Sequence, residues 1–232
     1  MQPHCVLMRS LLLAATLWTA TRAGAGAVRG KVRIVGSPPP ALRDGGTVAR
    51  AEAPKTNSTN LRDFVVFIEG NAGTNFPPPF TPLLIQVRRD ANTNAIFSPH
   101  VLPVLIGTTV EWRNDDSVYH KFFSLSENAN FEFPLLKTGD PSPRWTFTKP
   151  GRVDVFCSIY ANLNGIILVL ENPWFTGTDY RNNFYIQNIP AGTYQLKVWH
   201  EHLPTQTREI TVPAQGELKI DFLLDLANLP TD

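Results

Sequence analysis

The sequence predicts an all-β protein built from two β-sandwiches. The 232-residue chain contains 20 prolines and 15 glycines, and it shows no long amphipathic helical pattern. Apolar and polar residues instead alternate over short runs, as in VRGKVRIV at 28–35. Such runs recur at the short intervals that are typical of sandwich strands. The length is sufficient for one large or two small β domains with a hydrophobic core.

The composition narrows the classes of function. The 21 Lys and Arg residues nearly balance the 20 Asp and Glu residues, which gives a formal net charge of +1. The basic residues are scattered along the chain, so we expect no nucleic-acid partner and no binding to an anionic membrane surface. The hydrophobic content of 43% is ordinary for a globular protein.

Residues 1–27 predict a secretory signal peptide. Arg9 supplies a positive flank, residues 11–20 form an apolar stretch, and a small-residue cleavage motif ends at Ala25 or Ala27. The apolar stretch is shorter than the roughly 20 residues that span a bilayer, although a buried apolar strand or helix is an alternative interpretation. We therefore expect a periplasmic or secreted protein with no integral membrane segment after signal removal.

The number and position of the cysteines also bear on the predicted export. Cys5 lies in the predicted signal peptide, so Cys157 would be the only thiol of the mature chain and no internal disulfide could form. A lone thiol in an oxidising compartment is a liability unless it is buried or bound to a metal. The simpler alternative is a buried cysteine that packs as a small hydrophobic residue.

The predicted elements follow in order. Strands at 28–35 and 64–69 are separated by a polar surface loop at 41–61, and a second loop covers 71–82. The next short strands lie at 84–88, 95–97, 101–105, 109–113, 120–125, 144–148, 153–157 and 165–170, with a loop before residue 143. Four more alternating strands lie at 183–186, 193–199, 208–212 and 217–223, which are barely enough for a separate core.

These strands predict a split arrangement of domains. The strands before residue 70 have no obvious place beside the first sandwich, so we predict that they pair with the C-terminal strands. The predicted divisions are the signal peptide at 1–27, N-terminal strands and loops at 28–82, a first sandwich at 83–172 and a C-terminal module at 173–232. The first sandwich would then be an insertion in a split second domain.

One histidine and one cysteine indicate a metal site. His120 lies on one predicted strand, and Cys157 ends another. An electron-transfer copper requires a thiolate and two imidazoles in a trigonal set, with a weak axial ligand. His120 and Cys157 supply only one imidazole and the thiolate, so the residues that occupy the other positions decide the chemistry.

Residues 95–170 resemble the cupredoxin (plastocyanin-like) family. The matching motifs are Phe97-Ser98-Pro99, Gly107-Thr108-Thr109-Val110, Trp112-Arg113-Asn114-Asp115-Asp116 with His120, Pro150-Gly151 and Val155-Phe156-Cys157. With FYIQNIPAGTYQLKVWHE at 184–201, the pattern is similar to that of exported cupredoxin-type proteins labelled methylamine utilisation proteins. The C-terminal part resembles the transthyretin-like, carboxypeptidase-regulatory-like sandwich, also called a carbohydrate-binding-like fold. The resemblance implies a cupredoxin-like Greek-key β-sandwich plus a small transthyretin-like β-sandwich.

The resemblance also implies a copper ligand set from which this chain departs. The family's first imidazole matches His120 and its thiolate matches Cys157, whereas its second imidazole and axial Met match Tyr160 and Leu163. Leucine cannot bind a metal, and a phenol with a pKa near 10 binds one only if coordination offsets its deprotonation. The implied metal residues are therefore His120, Cys157 and Tyr160, with His100 either a rescue ligand or a structural histidine.

We expect an exported, non-catalytic protein with a degenerate or remodelled copper site that acts in binding or scaffolding. One alternative is a periplasmic copper-binding or electron-transfer protein that uses His120 and Cys157 and a redox or protein partner. Another is a carbohydrate-binding module, since aromatic residues gather in the C-terminal part. The sequence lacks the serine-hydrolase, phosphate-binding and zinc-protease motifs, and Asp115-Asp116 after Asn114 is typical of a turn.

Overall fold

The computed structural model describes residues 24–36, 62–70, 76–91 and 94–226. The apolar stretch of the predicted signal peptide and the predicted loop at 41–61 lie outside these ranges. The described residues contain seventeen strands and no helix, so the predicted all-β class is confirmed. Among them, no helix has the length and apolar character needed to cross a membrane.

Strands β3 to β11 form the inserted sandwich. One sheet has the order β5-β11-β10-β7-β8, and the other has the order β4-β3-β6-β9. The strands are β3 (Leu83–Arg89), β4 (Ala95–Ser98), β5 (Val101–Leu105), β6 (Thr109–Asn114), β7 (Phe122–Ser126), β8 (Ala129–Glu132), β9 (Arg144–Thr146), β10 (Gly151–Cys157) and β11 (Asn164–Leu170). Both sheets contribute to one aromatic-rich core around Trp112, Phe122 and Phe147. This is the cupredoxin-like β-sandwich that the sequence predicts.

The remaining strands form the split sandwich. They are β1 (Ala25–Val35), β2 (Val65–Ile68), β12 (Phe175–Gly177), β13 (Asn183–Pro190), β14 (Gly192–His200), β15 (Leu203–Val212), β16 (Glu217–Lys219) and β17 (Phe222–Asp225). Strand β1 pairs with β13, β16 and β17, while β2 pairs with β12 and β14. The chain therefore leaves this sandwich after β2 and returns to it at β12. The transthyretin-like identity of the module and the exact domain boundaries stay predictions.

The two sandwiches share an apolar contact. Strand β11 is buried on both faces: Ile167 and Val169 face the core of the inserted sandwich, whereas Ile166 and Leu168 pack near Val65 of β2. This explains the nearly continuous apolar run at 165–170, because a strand covered on both faces has no solvent side that would favour polar residues.

Several strands differ from their prediction. Strand β8 lies in a stretch that is predicted as loop because it is rich in Asn. It forms a strand in which the buried residues Ala129 and Phe131 alternate with exposed polar residues. Strand β1 begins at Ala25, three residues before the predicted start. The predicted strand 217–223 is interrupted before β17, where the Asp221 carboxylate accepts a hydrogen bond from the backbone N–H of Lys31 at 3.0 Å.

Candidate metal centre

Two neighbouring strands bring His120 and Cys157 together. His120 lies two residues before β7, where its backbone N–H and C=O pair with Leu136 at 2.9 and 2.8 Å. Cys157 ends β10, which pairs antiparallel with β7 so that Cys157 is opposite Phe122. Both side chains are buried, and Cys157 Sγ lies 3.6 Å from His120 Nδ1.

Asp116 holds the other nitrogen of the histidine ring. Its Oδ2 lies 3.1 Å from His120 Nε2, and its Oδ1 accepts hydrogen bonds from Arg89 Nε at 2.8 Å and from the backbone N–H of Ser117 at 2.6 Å. The Asp116 side chain is 1% exposed. The centre is therefore a buried row of carboxylate, imidazole and thiol.

The turn at 114–118 positions Asp116. The Asn114 side chain donates to the carbonyls of Val118 at 2.8 Å and Leu136 at 3.0 Å, and its Oδ1 accepts the backbone N–H of Asp116 at 2.9 Å. The sequence predicts this segment as a turn and assigns Asp116 no part in the site. The available signal is an aspartate four residues before His120, but the adjacent Asp115, which faces outward and binds Arg113, is equally good turn chemistry.

The row of side chains stabilises a charged pair. Burial opposes ionisation of Cys157, but the hydrogen bond to His120 and nearby backbone N–H groups outweigh it and lower the pKa of the thiol to about 7. Burial also opposes protonation of His120, yet Cys157 and Asp116 raise its pKa above the ordinary value. The hydrogen bonds from His120 and Arg89 likewise lower the pKa of Asp116 against the effect of burial.

Tyr160 and Leu163 occupy the loop that follows Cys157. The Tyr160 ring is tilted 49° to the His120 ring with centroids 5.0 Å apart, and the residue is 37% exposed. Leu163 is buried, and its carbonyl accepts the backbone N–H of Cys157 at 3.1 Å. Tyr160 therefore lies beside the imidazole at the surface, and Leu163 fills the interior with hydrocarbon.

His100 makes its hydrogen-bond contacts away from His120 and Cys157. Its Nδ1 lies 3.1 Å from the carbonyl of Asn164, and its Nε2 lies 2.8 Å from Glu201 Oε2 in the split sandwich. The structure thus brings His120 and Cys157 together, places Tyr160 beside them, and leaves His100 outside the group.

The donor set decides which copper chemistry the residues fit. A trigonal electron-transfer copper does not fit, because it requires a second imidazole. Over the ranges that the structure describes, no group of three or more His, Cys, Asp or Glu side chains is arranged to hold a metal ion. A thiolate and an imidazole are nevertheless donors suited to Cu(I), and Asp116 orients the ring through Nε2 as carboxylates do for metal-binding histidines.

Comparison with protein-family models finds no match, and comparison with curated proteins finds none. Among solved structures, a purple cupredoxin from Nitrosopumilus maritimus is 32% identical, with 38% of this chain and 98% of that chain covered and a TM-score of 0.33. A Cu-containing nitrite reductase (NirK) from Thermus scotoductus SA-01 is 29% identical, with 45% of this chain but 25% of that chain covered and a TM-score of 0.35. A reduced amicyanin mutant is 19% identical, with 39% and 84% covered and a TM-score of 0.34.

Proposed function

We propose that this chain is an exported, non-catalytic cupredoxin-like protein whose remodelled site binds one Cu(I) ion through Cys157 and His120. The observation that carries the proposal is the buried approach of Sγ to Nδ1 at 3.6 Å, with Nε2 held by Asp116. The site lacks the second imidazole of a trigonal copper, so the protein holds copper and does not act as a blue electron carrier.

The energetics of burial support a binding role over a purely structural one. Asp116, His120 and Cys157 are all buried, and removing ionisable groups from water carries a large desolvation penalty. Well-packed apolar residues of similar volume are often as stabilising as a buried charged pair, or more so. A row of three such groups therefore indicates a ligand that uses them.

Each residue of the centre has a distinct part. Cys157 supplies a thiolate more readily than an ordinary cysteine, because the hydrogen bond to His120 outweighs burial and lowers the pKa of its thiol to about 7. His120 supplies Nδ1, and Asp116 fixes the orientation of the ring through the opposite nitrogen. Leu163 excludes water from the interior side. A bound Cu(I) ion would add a soft, positively charged centre between the thiolate and the imidazole.

The split sandwich offers less support for the carbohydrate alternative. Trp174 is buried in its core, where it packs edge-on against Phe76 and donates its indole N–H to the carbonyl of Asn188 at 3.0 Å. Tyr180 and Tyr185 are exposed, but exposed single aromatic residues are common on protein surfaces. A carbohydrate, redox or protein partner thus stays a proposal.

Anaerobic titration with Cu(I) against a chromogenic chelator tests the copper site. The full chain carries Cys5→Ser, so that Cys157 is its only thiol. We expect one copper ion per chain, no uptake by Cys157→Ser, and an affinity at least about tenfold lower for His120→Gln. His202→Gln removes a half-exposed imidazole from the split sandwich and should leave binding unchanged.

Two results would count against the proposal. No copper uptake by the parent protein, or uptake that survives Cys157→Ser, would indicate a metal-free scaffold. An intense visible thiolate-to-copper band on addition of Cu(II) to the parent protein would show that the site retains blue-copper chemistry.

A further inference from the structure

His100 and Glu201 connect the two sandwiches through an ion pair. His100 lies between β4 and β5 of the inserted sandwich, and Glu201 lies between β14 and β15 of the split sandwich. His100 Nε2 is 2.8 Å from Glu201 Oε2, with side chains that are 34% and 17% exposed. The partners are 101 residues apart in sequence, so the contact exists only because the sandwiches meet.

Both nitrogens of the His100 ring face hydrogen-bond acceptors. Nε2 faces the Glu201 carboxylate, and Nδ1 lies 3.1 Å from the backbone carbonyl of Asn164. An ionised carboxylate and a carbonyl can only accept, so each ring nitrogen must carry a hydrogen for both bonds to form. A neutral imidazole has a single N–H and can make only one of them. The geometry therefore corresponds to a protonated His100.

We propose that protonated His100 is a pH-dependent clasp that ties the Asn164 backbone of the inserted sandwich to Glu201 of the split sandwich. When His100 loses its proton, one of its two hydrogen bonds is lost and the ion pair disappears. The apolar contact between β11 and β2 does not depend on protonation, so the sandwiches stay in contact while their attachment weakens.

The surrounding charges favour the protonated state. The hydrogen bond from His100 to Glu201 raises the pKa of His100, burial opposes the shift, and the negative charges of Glu201 and Asp63 reinforce it. Arg152 of β10 lies 3.9 Å from Glu201 Oε1 and above the ring of Trp199. Burial of Glu201 opposes its ionisation, but the hydrogen bond from His100 lowers the pKa of Glu201 below the ordinary value, and the charges of the neighbouring basic side chains, Arg152 the least, reinforce this shift.

Two further histidines face the clasp from the split sandwich. His202 Nε2 lies 3.6 Å from Glu201 Oε2 and competes with His100 for that oxygen. His200 is buried against Phe64, and burial lowers the pKa of His200 to about 4, so it adds no positive charge near neutral pH.

The sign of the pH effect follows from the raised pKa of His100. The stabilisation that the clasp provides is fully present below the unfolded value of about 6.5. This stabilisation is lost as the pH rises through the higher pKa that His100 has in the folded protein. The clasp thus weakens as the pH rises above 6.5 and through the raised pKa of His100.

Titration of the histidine ring signals by NMR in the full chain tests the clasp. We expect a His100 pKa above 6.5 in the parent protein and a decrease of about one pH unit, a tenfold loss of proton affinity, in Glu201→Gln. Glu209→Gln is the matched control, because this carboxylate lies on β15 of the same sandwich and accepts a hydrogen bond from the exposed Gln195 amide at 3.2 Å. We expect it to leave the His100 titration unchanged.

Thermal unfolding provides the second measurement. Glu201→Gln should lower the midpoint relative to the parent at mildly acidic pH, and the difference should shrink at alkaline pH. A parent His100 that titrates at or below 6.5 would overturn the proposal without any variant, so it does not depend on the folding of Glu201→Gln. A midpoint difference that is equal at both pH values would also overturn it.

Discussion

Replacement of Asp116 with alanine tests whether the buried row is an energetic unit. Asp116 receives hydrogen bonds from Arg89 and from the Ser117 backbone and lies 3.1 Å from His120 Nε2, all with a side chain that is 1% exposed. Its removal leaves the buried imidazole without a partner for Nε2. Breaking a buried charged pair in this way destabilises proteins by about 3–5 kcal/mol. We expect Asp116→Ala to lower the free energy of unfolding by this amount.

The adjacent residue provides the control. Asp115 also has three contacts, from Arg113 Nε at 2.8 Å, from Arg113 Nη2 at 3.0 Å and from Gln86 Nε2 at 2.6 Å. Its side chain and that of Arg113 are 34% and 46% exposed, so water replaces the lost contacts. An exposed pair of this kind contributes less than about 1 kcal/mol. Asp116 has a fourth, longer contact from Ser117 Oγ at 3.4 Å, so the contacts are similar in number and burial is the main difference between the two predictions.

Urea unfolding measured by circular dichroism checks both variants. The parent, Asp115→Ala and Asp116→Ala proteins are compared at neutral pH after treatment with a chelator. Equal losses of stability in the two variants would refute the argument that burial makes the Asp116 contacts costly to break. The pKa of Asp116 is lower in the folded protein than in the unfolded chain. The stability that Asp116 contributes is therefore present above its unfolded pKa and should be lost as the pH falls through its folded pKa.

Two further substitutions test the departure from the copper ligand set and the close approach of strands in the split sandwich. The Tyr160→His, Leu163→Met double variant restores the second imidazole and a thioether, and we expect it to give an intense visible band with Cu(II). If absorption and EPR spectra showed no blue-copper site in this variant, the pocket would be altered beyond these two residues. A Cβ on Gly30 would lie 1.6 Å from the carbonyl oxygen of Ile220, so Gly30→Ala should cost about 1–3 kcal/mol or more in urea unfolding. Gly177→Ala meets nothing within 4 Å and should unfold like the parent; equal losses for both glycine variants would contradict the steric argument.

The sequence predicts the parts of the centre that lie on regular strands. His120 and Cys157 stand beside runs of clear alternation, so their strands could be placed from periodicity. Which of Asp115 and Asp116 points into the protein could not be predicted, because a turn imposes no alternation of buried and exposed residues and both aspartates suit a turn. Asp116 is held by Arg89, and its turn neighbour Asn114 by the carbonyl of Leu136, and both partners come from other parts of the inserted sandwich.

Long-range contacts mark a second limit. The pairing of His100 with Glu201 depends on how the two sandwiches meet, and no local pattern records a contact between residues 101 positions apart. Strand β8 shows a different limit, since its alternation is only four residues long and is interrupted by turn-forming residues. Strand β11 is the contrasting case, because its continuous apolar run records burial on both faces.

The insertion of one sandwich into the other also determines which strands can pair first as the chain is made. Strand β1 pairs with β13, β16 and β17, and the Lys31–Asp221 contact closes over 190 residues of sequence. Chains are synthesised from the N-terminus, so β1 and β2 exist before any of their partners, while the inserted sandwich contains all of its own strands. The inserted sandwich can therefore fold first, whereas β1 keeps an unpaired edge until β17 is complete. An unpaired edge of this kind is where strands of other chains can add, so the aggregation risk of this protein lies in the interval between its first strand and its last.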